Sequence, residues 1–343
     1  MNNHFLLGMS VIFFSGCLNG AFAMPMKSSR DWKWENLWLV FTFVSTIVVP
    51  WTLALALVPH LDRVYASVAP RALLVPMAFG FVWGMAQVTF GISLRVVGVA
   101  LTFAVVSGLG SLSGSLVPLV AFHSEELFRP RGILLLLSIP FLLVGLALYG
   151  AAGLRREREQ APESSSHDKQ KSNFAAGMAL CIFTGIFASS FNLGFAFAGD
   201  VLKASLGEGA GPLSATYAAW TIVLGAGFIP NLVYCVYLLV KNRSTGLFGN
   251  SNWPREALLA LSMAFMWIGA ILIYGIGATL AGTFGTSMGY MLFVATSILL
   301  ANALGLMSGE WKGTSPRTRT LLFSAIAFIL VAIIVLNLGG LYG

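Results

Sequence analysis

Ten runs of roughly 20 apolar residues follow one another along the chain, near 5–24, 36–58, 72–94, 98–120, 132–152, 174–198, 213–240, 256–277, 281–307 and 319–339. A hydrocarbon core about 30 Å thick is crossed by about 20 residues of helix, so each run has the length of a transmembrane span. The composition agrees. Apolar residues make up 57% of the chain and charged ones 10%, with a mean hydropathy of +0.83, far from the range of soluble domains. The fold class expected is an all-α integral membrane protein of ten transmembrane helices.

Five runs precede the polar stretch 153–173 and five follow it. That stretch, GLRREREQAPESSSHDKQKSN, is charged and Ser-rich without an apolar helical face, and it reads as a flexible linker. The two sides echo each other. Gly8-Met9-Ser10 with Phe14-Ser15-Gly16 returns at an offset of 169 as Gly177-Met178-Ala179 with Phe183-Thr184-Gly185. Trp83, Phe90, Gly91 and Gly98 return at an offset of 184 as Trp267, Tyr274, Gly275 and Gly282, and Pro130-Arg131 returns as Pro316-Arg317. The organisation expected is a first five-helix repeat over 1–152, a linker over 153–173 and a second repeat over 174–343. Five is odd, so the second copy enters the membrane from the side opposite to the first and the repeats are inverted. In a membrane protein such duplication points to a transporter.

Fifteen of the twenty Lys and Arg residues lie in the loops after spans 1, 3, 5, 7 and 9; Arg63, Arg71, Arg129, Arg131 and Lys203 lie on the other side. The positive-inside rule then makes the linker cytoplasmic and turns both termini outward. The same spread accounts for the net charge of +7 without nucleic acid, since no basic stripe with interleaved aromatics is present. Cys17, Cys181 and Cys235 lie within spans with no metal-ligand spacing and are expected to pack as small hydrophobes. Residues 1–23 lack the cationic start of a signal peptide, and their repeat partner at 177–185 is internal, so the first span is expected to be retained.

All thirteen carboxylates and all four histidines fall in loops or at span edges. An intramembrane enzyme needs a nucleophile with its base, or metal ligands, gathered at depth, and a charged channel filter needs a ring of such groups. Neither pattern is present, so neither an enzyme nor a cofactor is expected. What the spans do carry is neutral and polar or aromatic: Asn19, Gln87, Asn192, Tyr217, Trp220, Asn231, Tyr290 and Asn302. Amides both donate and accept, and Trp and Tyr faces match apolar C–H patches, which is an inventory for an uncharged, hydroxyl-rich ligand. Bonding between neighbouring helices is the competing use of each amide, most of all for Asn231 and Asn302 nearer the span ends.

Trp83, Gln87, Phe90, Gly91 and Leu94 share one helix face by their i, i+4, i+7, i+8, i+11 spacing. The two halves diverge on this face, where Trp83 maps to Trp267 and Phe90 to Tyr274, but Gln87 maps to Ile271. An aromatic frame shared by both halves with a polar group in only one suits an asymmetric ligand. The pairs Gly16/Gly20, Gly110/Gly114 and Gly285/Gly289 are small-xxx-small spacings that let helix backbones approach. The run Ser107–Ser115 is equally short of bulk, and serves either as a seam or as a loosened helix facing a cavity.

Three segments carry a family resemblance. Pro25-Met-Lys27, Trp32-Lys-Trp34-Glu35-Asn-Leu-Trp38, Val44-Ser45 and Pro50-Trp51 form the first, and Trp83-Gly84-x2-Gln87-x2-Phe90-Gly91-x3-Arg95-x2-Gly98 the second. The third is Glu310-Trp311 before a short basic loop. Together they resemble the L-rhamnose/proton symporter family over nearly the whole chain. The resemblance implies the drug/metabolite transporter superfamily, with ten helices as two inverted five-helix repeats, a central site and alternating access. The resemblance implies L-rhamnose as the substrate, while Ile271, where that family's best known members carry Gln, and the less polar stretch Gly282–Tyr290 widen the expectation to a related deoxy sugar or small polyol. The substrate-binding residues expected are Gln87, Trp83, Asn19, Asn192, Trp267, Tyr217 and Tyr290. For proton coupling Glu35 is expected, with Lys27 close in sequence. The residues alone leave sodium coupling or uncoupled passage open. They also leave open an exporter of metabolites or drugs on the same fold, and a membrane sugar sensor that does not transport. The partners expected are a sugar, a proton and the bilayer.

Overall fold

The computed structural model describes residues 3–98, 101–103, 105–106, 108–110, 113, 128–160, 167–281 and 288–338, and every regular element among them is helical. In chain order these are α1 (Asn3–Ala21), α2 (Trp34–Phe43), α3 (Val49–Leu57), α4 (Leu61–Ser67), α5 (Pro70–Val96), α6 (Pro130–Glu159) and α7 (His167–Ala188). There follow α8 (Ser190–Phe197), α9 (Gly199–Gly207), α10 (Pro212–Lys241), α11 (Trp253–Leu280), α12 (Met288–Met307) and α13 (Pro316–Leu338). Helix is the expected outcome in lipid, where each backbone N–H and C=O must find its partner within the segment. Among the described residues seven helical stretches are long and apolar enough to cross a membrane: His4–Ser28, Trp34–Leu57, Pro70–Val96, Gly132–Arg156, Ala175–Gly207, Pro212–Lys241 and Trp253–Leu280. They fall on seven of the ten apolar runs. Much of the fourth run and the start of the ninth lie outside the described residues, as do Gly114, Gly282 and Gly285.

The chain forms two compact units: unit one comprises Met1–Ala21, Ile92–Ile186 and Gly269–Gly343, and unit two comprises Phe22–Gly91 and Phe187–Ile268. In unit one α1 packs along α12 and α6 along α13. The first pair meets through glycine. A Cβ added to Gly16 would stand 2.6 Å from the Phe293 carbonyl oxygen, and one on Gly20 would stand 2.5 Å from that of Ser297. Such contacts suit a bilayer, where helices associate by close van der Waals approach rather than by escape from water. Cys181 and Cys235 are buried and Cys17 half-buried, none of them in a disulfide.

Where α6 and α13 meet at their polar ends, Arg156 lies 5.0 Å above the Trp311 ring, 3.6 Å from Glu310, and donates to the Val97 carbonyl at 3.1 Å. The Glu310-Trp311 motif thus closes onto the last turn of α6. One turn of sequence further, Glu159 accepts from the Ser315 hydroxyl (2.6 Å), the Ser315 N–H (2.7 Å) and the Thr318 hydroxyl (2.8 Å). These donors, Ser315 first, hold its carboxyl below the usual carboxylate range. Stability from this cap is fully present above the ordinary Glu pKa of about 4.3 and is lost as pH falls through the lower folded-state value. The thermal midpoint of Glu159→Gln is therefore expected to lie below that of the native chain at pH 7, with the gap closing below about pH 4. A gap that does not change between pH 7 and pH 3 would remove the carboxylate from the cap.

Unit two is built round α10, which packs on α2 and α3. Between α2 and α3 the chain makes one π turn over Val44–Val48, with the Val49 N–H reaching the Val44 carbonyl. Pro50 explains it, because it has no N–H for the Thr46 carbonyl and the ladder widens there. The Thr42, Ser45 and Thr46 hydroxyls each donate back to a carbonyl four residues earlier, at 2.7 Å, so the second run is one bent span. A glycine seam joins α5 to α10. A Cβ on Gly80 would lie 2.1 Å from the Val223 oxygen, and one on Gly84 would lie 2.2 Å from the Gly227 oxygen. Gly227 in turn receives the Trp83 ring, 2.6 Å from where its own Cβ would stand.

Candidate functional site

The face of α5 that the spacing picks out is buried in unit two. Trp83 is 6% exposed and Gln87 7%. Trp83 stacks on Trp267 of α11 with ring centroids 5.8 Å apart and planes at 18°, so the residues matched by the 184 offset are in contact. The aromatic wall continues from Trp267 edge-on to Phe41 (6.1 Å), then to Phe22 (5.4 Å) and Phe90 (6.3 Å). On the other flank Trp83 meets Phe191 (5.1 Å), which stacks on Trp220 (4.6 Å).

Within this apolar surround the Gln87 side-chain Nε2 is buried and has no hydrogen-bond partner. A buried donor left unmet costs about 1–3 kcal/mol, and in native proteins such groups mark strain, a missing water or a ligand. A second unmet donor is the indole Nε1 of Trp34. Its ring lies against the bare face of Gly91, where a Cβ would stand 2.6 Å from Trp34 Cζ2, one turn along α5 from Gln87. Trp34 was visible in the sequence only as part of a motif. Nothing in its spacing distinguishes an indole that packs from one that also presents a donor.

The frame is held by Asn231, which is fully buried. Its Oδ1 accepts from Trp38 Nε1 at 2.9 Å, and its Nδ2 donates to the carbonyls of Gly84 (3.3 Å) and Gly227 (3.0 Å). One amide thus ties α2, α5 and α10 around Trp83. Asn302 in unit one is equally committed, accepting from the Tyr149 hydroxyl and donating to the Ile298 carbonyl at 2.8 Å.

The remaining candidates divide between the units. Asn192 is half-buried on α8 and Tyr217 is 9% exposed on α10, both in unit two. In unit one the Asn19 amide donates to the Ser297 hydroxyl at 3.0 Å, while half-buried Tyr290 packs against Tyr274 (6.1 Å) and Phe293 (6.3 Å). Asn19 is therefore engaged with α12, as its competing structural use foresees.

Two carboxylates at helix starts in unit two are buried. Glu35, 1% exposed in the first turn of α2, accepts from Asn242 Nδ2 at 2.8 Å and from the Ser244 hydroxyl at 2.6 Å. Lys33 reaches the Asn242 carbonyl at 3.0 Å, and Lys27 stands exposed in the 3-10 turn Met24–Ser28. Glu256, 0% exposed in the first turn of α11, accepts from the Ser29 hydroxyl (2.5 Å), Arg30 N–H (3.1 Å), Asp31 N–H (3.4 Å) and Arg255 (3.1 Å). In sequence Glu256 looks like any other edge carboxylate, because its partners other than Arg255 lie some 225 residues away.

A multi-pass, all-α membrane protein that sets uncharged polar groups among aromatic rings has the make-up of a transporter. The chain is a member of the L-rhamnose-proton symport protein (RhaT) family, which it matches over residues 1–342. It is 25% identical over 346 residues to the L-rhamnose-proton symporter of Shigella sonnei, covering 99% of each chain. It is 26% identical over 343 residues to that of Pectobacterium atrosepticum (98% of each), and 25% identical over 346 residues to that of Yersinia pestis (99% of each). Rhamnose and the proton are the substrates named for that family.

Proposed function

We propose that this chain imports L-rhamnose or a related deoxy sugar together with a proton across a bacterial inner membrane by alternating access. The observation that carries the reading is the unmet Gln87 donor beside the Trp83–Trp267 stack. A sugar hydroxyl accepts from the amide while a ring C–H face covers an indole, and both contacts arise without a charged group. Trp34 supplies a second donor, with Asn192 and Tyr217 as further candidates of unit two, and Asn19 and Tyr290 those of unit one.

Matched contacts within unit one support inverted repeats 1–152 and 174–343 joined by the linker. A Cβ on Gly8 would meet the Ala281 nitrogen at 2.7 Å, and one on Gly177 would meet Val97 at 2.6 Å. Gly16 faces Phe293 as Gly185 faces Leu109, each at 2.6 Å. In both comparisons the first partners differ by 169 and the second by 184, the offsets of the sequence echoes. Helices α12 and α13, on two of the three remaining apolar runs, support more spans than the seven. The basic loops favour a cytoplasmic linker with both termini outside.

For the proton we assign Glu35, near Lys27 in sequence. Its neutral partners make protonation consequential. Asn242 and Ser244 both donate to the same oxygen, Oε1, so a proton taken up on the other oxygen weakens Oε1 as their acceptor and adds a new donor to the site.

Counterflow of labelled L-rhamnose in proteoliposomes tests the carrier. Exchange of label is expected. Rhamnose binding without exchange indicates a sensor, and exchange confined to apolar or cationic solutes indicates an exporter.

A further inference from the structure

At the polar ends of α6 and α13 an open groove of about 540 Å³ is lined by Ala151, Arg155, Pro316, Arg317, Thr320 and Leu321. All six belong to unit one and none belongs to the sugar site. The groove lies at the end of the membrane-spanning stretch Gly132–Arg156 of α6. Ala151, Pro316 and Leu321 give it an apolar lining, and Arg155 and Arg317 bring two exposed side chains with guanidinium groups to it.

Helix electrostatics explain only one of these cations. Arg155 near the C-terminal end of α6 is favoured by the helix dipole, but Arg317 stands in the first turn of α13, at the positive end, with no acidic residue in that turn. The carboxylate that caps this turn is Glu159, and its oxygens are engaged by Ser315 and Thr318. Glu159 also attracts Arg155 through space. The Thr320 hydroxyl donates to the Pro316 carbonyl at 3.0 Å, which leaves its oxygen as an acceptor only.

We propose that this groove binds the headgroup of an anionic phospholipid, its phosphate between Arg155 and Arg317 and its first acyl carbons against Ala151, Pro316 and Leu321. Basic pockets between helices at the cytoplasmic boundary have the charge and the depth for such a headgroup, and a zwitterionic lipid gains less because its own cation opposes the arginines. The apolar wall next to the cations selects a lipid over a free anion.

The test uses the full chain in detergent micelles, with dioleoyl phosphatidylglycerol or dioleoyl phosphatidylcholine added and bound lipid counted by native mass spectrometry. Phosphatidylglycerol is expected to be retained about tenfold more strongly. The double variant Arg155→Gln/Arg317→Gln is expected to bring it down to the phosphatidylcholine level, whereas Lys203→Gln, at an exposed side chain on α9, leaves it unchanged. Arg317→Gln alone, at an exposed side chain, serves if the double variant does not fold. Equal retention of the two lipids by the native chain overturns the proposal, as does undiminished phosphatidylglycerol in a folded arginine variant. Displacement of the lipid by inorganic phosphate, but not by chloride at matched ionic strength, overturns the lipid as occupant.

Discussion

Gln87→Leu is expected to weaken rhamnose binding by tenfold or more and, at the same time, to raise the thermal midpoint of the sugar-free protein. Both effects follow from one atom. In the free protein the buried Nε2 has no partner, so replacing the amide by an apolar group of similar size removes a cost of about 1–3 kcal/mol. In the sugar complex the same substitution strands a ligand hydroxyl, and a loss of about 1.4 kcal/mol is a factor of ten in affinity. The opposite signs matter, because a Gln that merely held helices together would lower stability when removed. Gln87→Asn keeps the donor on a shorter arm and is expected to fall between the two. Thermal unfolding in detergent and equilibrium binding of labelled rhamnose supply the two readings; a fall in both for Gln87→Leu would make Gln87 structural.

Glu256→Ala is expected to cost the native fold about 3 kcal/mol, the scale of removing one member of a buried charged network. The carboxylate is fully buried and holds the Ser29 hydroxyl, the Arg30 and Asp31 N–H groups and Arg255. Its removal leaves the Arg30 and Asp31 N–H groups without this acceptor, while the Ser29 hydroxyl keeps the Trp32 carbonyl at 3.1 Å and Arg255, roughly half exposed, is rehydrated. That segment leads into Trp32, which packs on Phe248 and bonds the Leu247 carbonyl at 2.9 Å. The damage is therefore expected to spread to the start of α2 and to Glu35. Glu256→Gln, with one carbonyl oxygen to offer, is expected to recover part of the loss. Faster hydrogen exchange at 29–36 in Glu256→Ala should accompany a lower thermal midpoint, and an unchanged midpoint would show that water replaces the carboxylate at no cost.

Long periodic signals were legible in the sequence. Seven of the apolar runs became helices long enough to cross a membrane, and the face carrying Trp83 and Gln87 is buried, since helical spacing alone decides which side chains share a face. The matching of Trp83 with Trp267 was read as a shared frame, and the two indoles do stack. Features made by distant chain were not legible. The 174–198 run reads as one span and falls within the single stretch Ala175–Gly207, but the breaks inside that stretch, after Ala188 and after Phe197, left no mark in the apolar pattern. The short helices α4 and α9 carry too few apolar residues to leave a period. Asn231 was seen as a span-end amide, but its three bonds to Trp38, Gly84 and Gly227 depend on a glycine seam joining residues about 150 positions apart. Nor does sequence tell which donor will lack a partner once the helices have packed, and at Gln87 and Trp34 that is the most informative property.

Coupling of sugar entry to proton entry is tested most directly by uptake of labelled L-rhamnose into proteoliposomes holding the native chain, under an imposed inward proton gradient. Sugar is expected to accumulate above its external concentration and to run out again when a protonophore collapses the gradient. Glu35→Gln is expected to retain counterflow but lose the accumulation. Equilibration to the external concentration whatever the gradient, or accumulation undiminished in Glu35→Gln, would contradict the account.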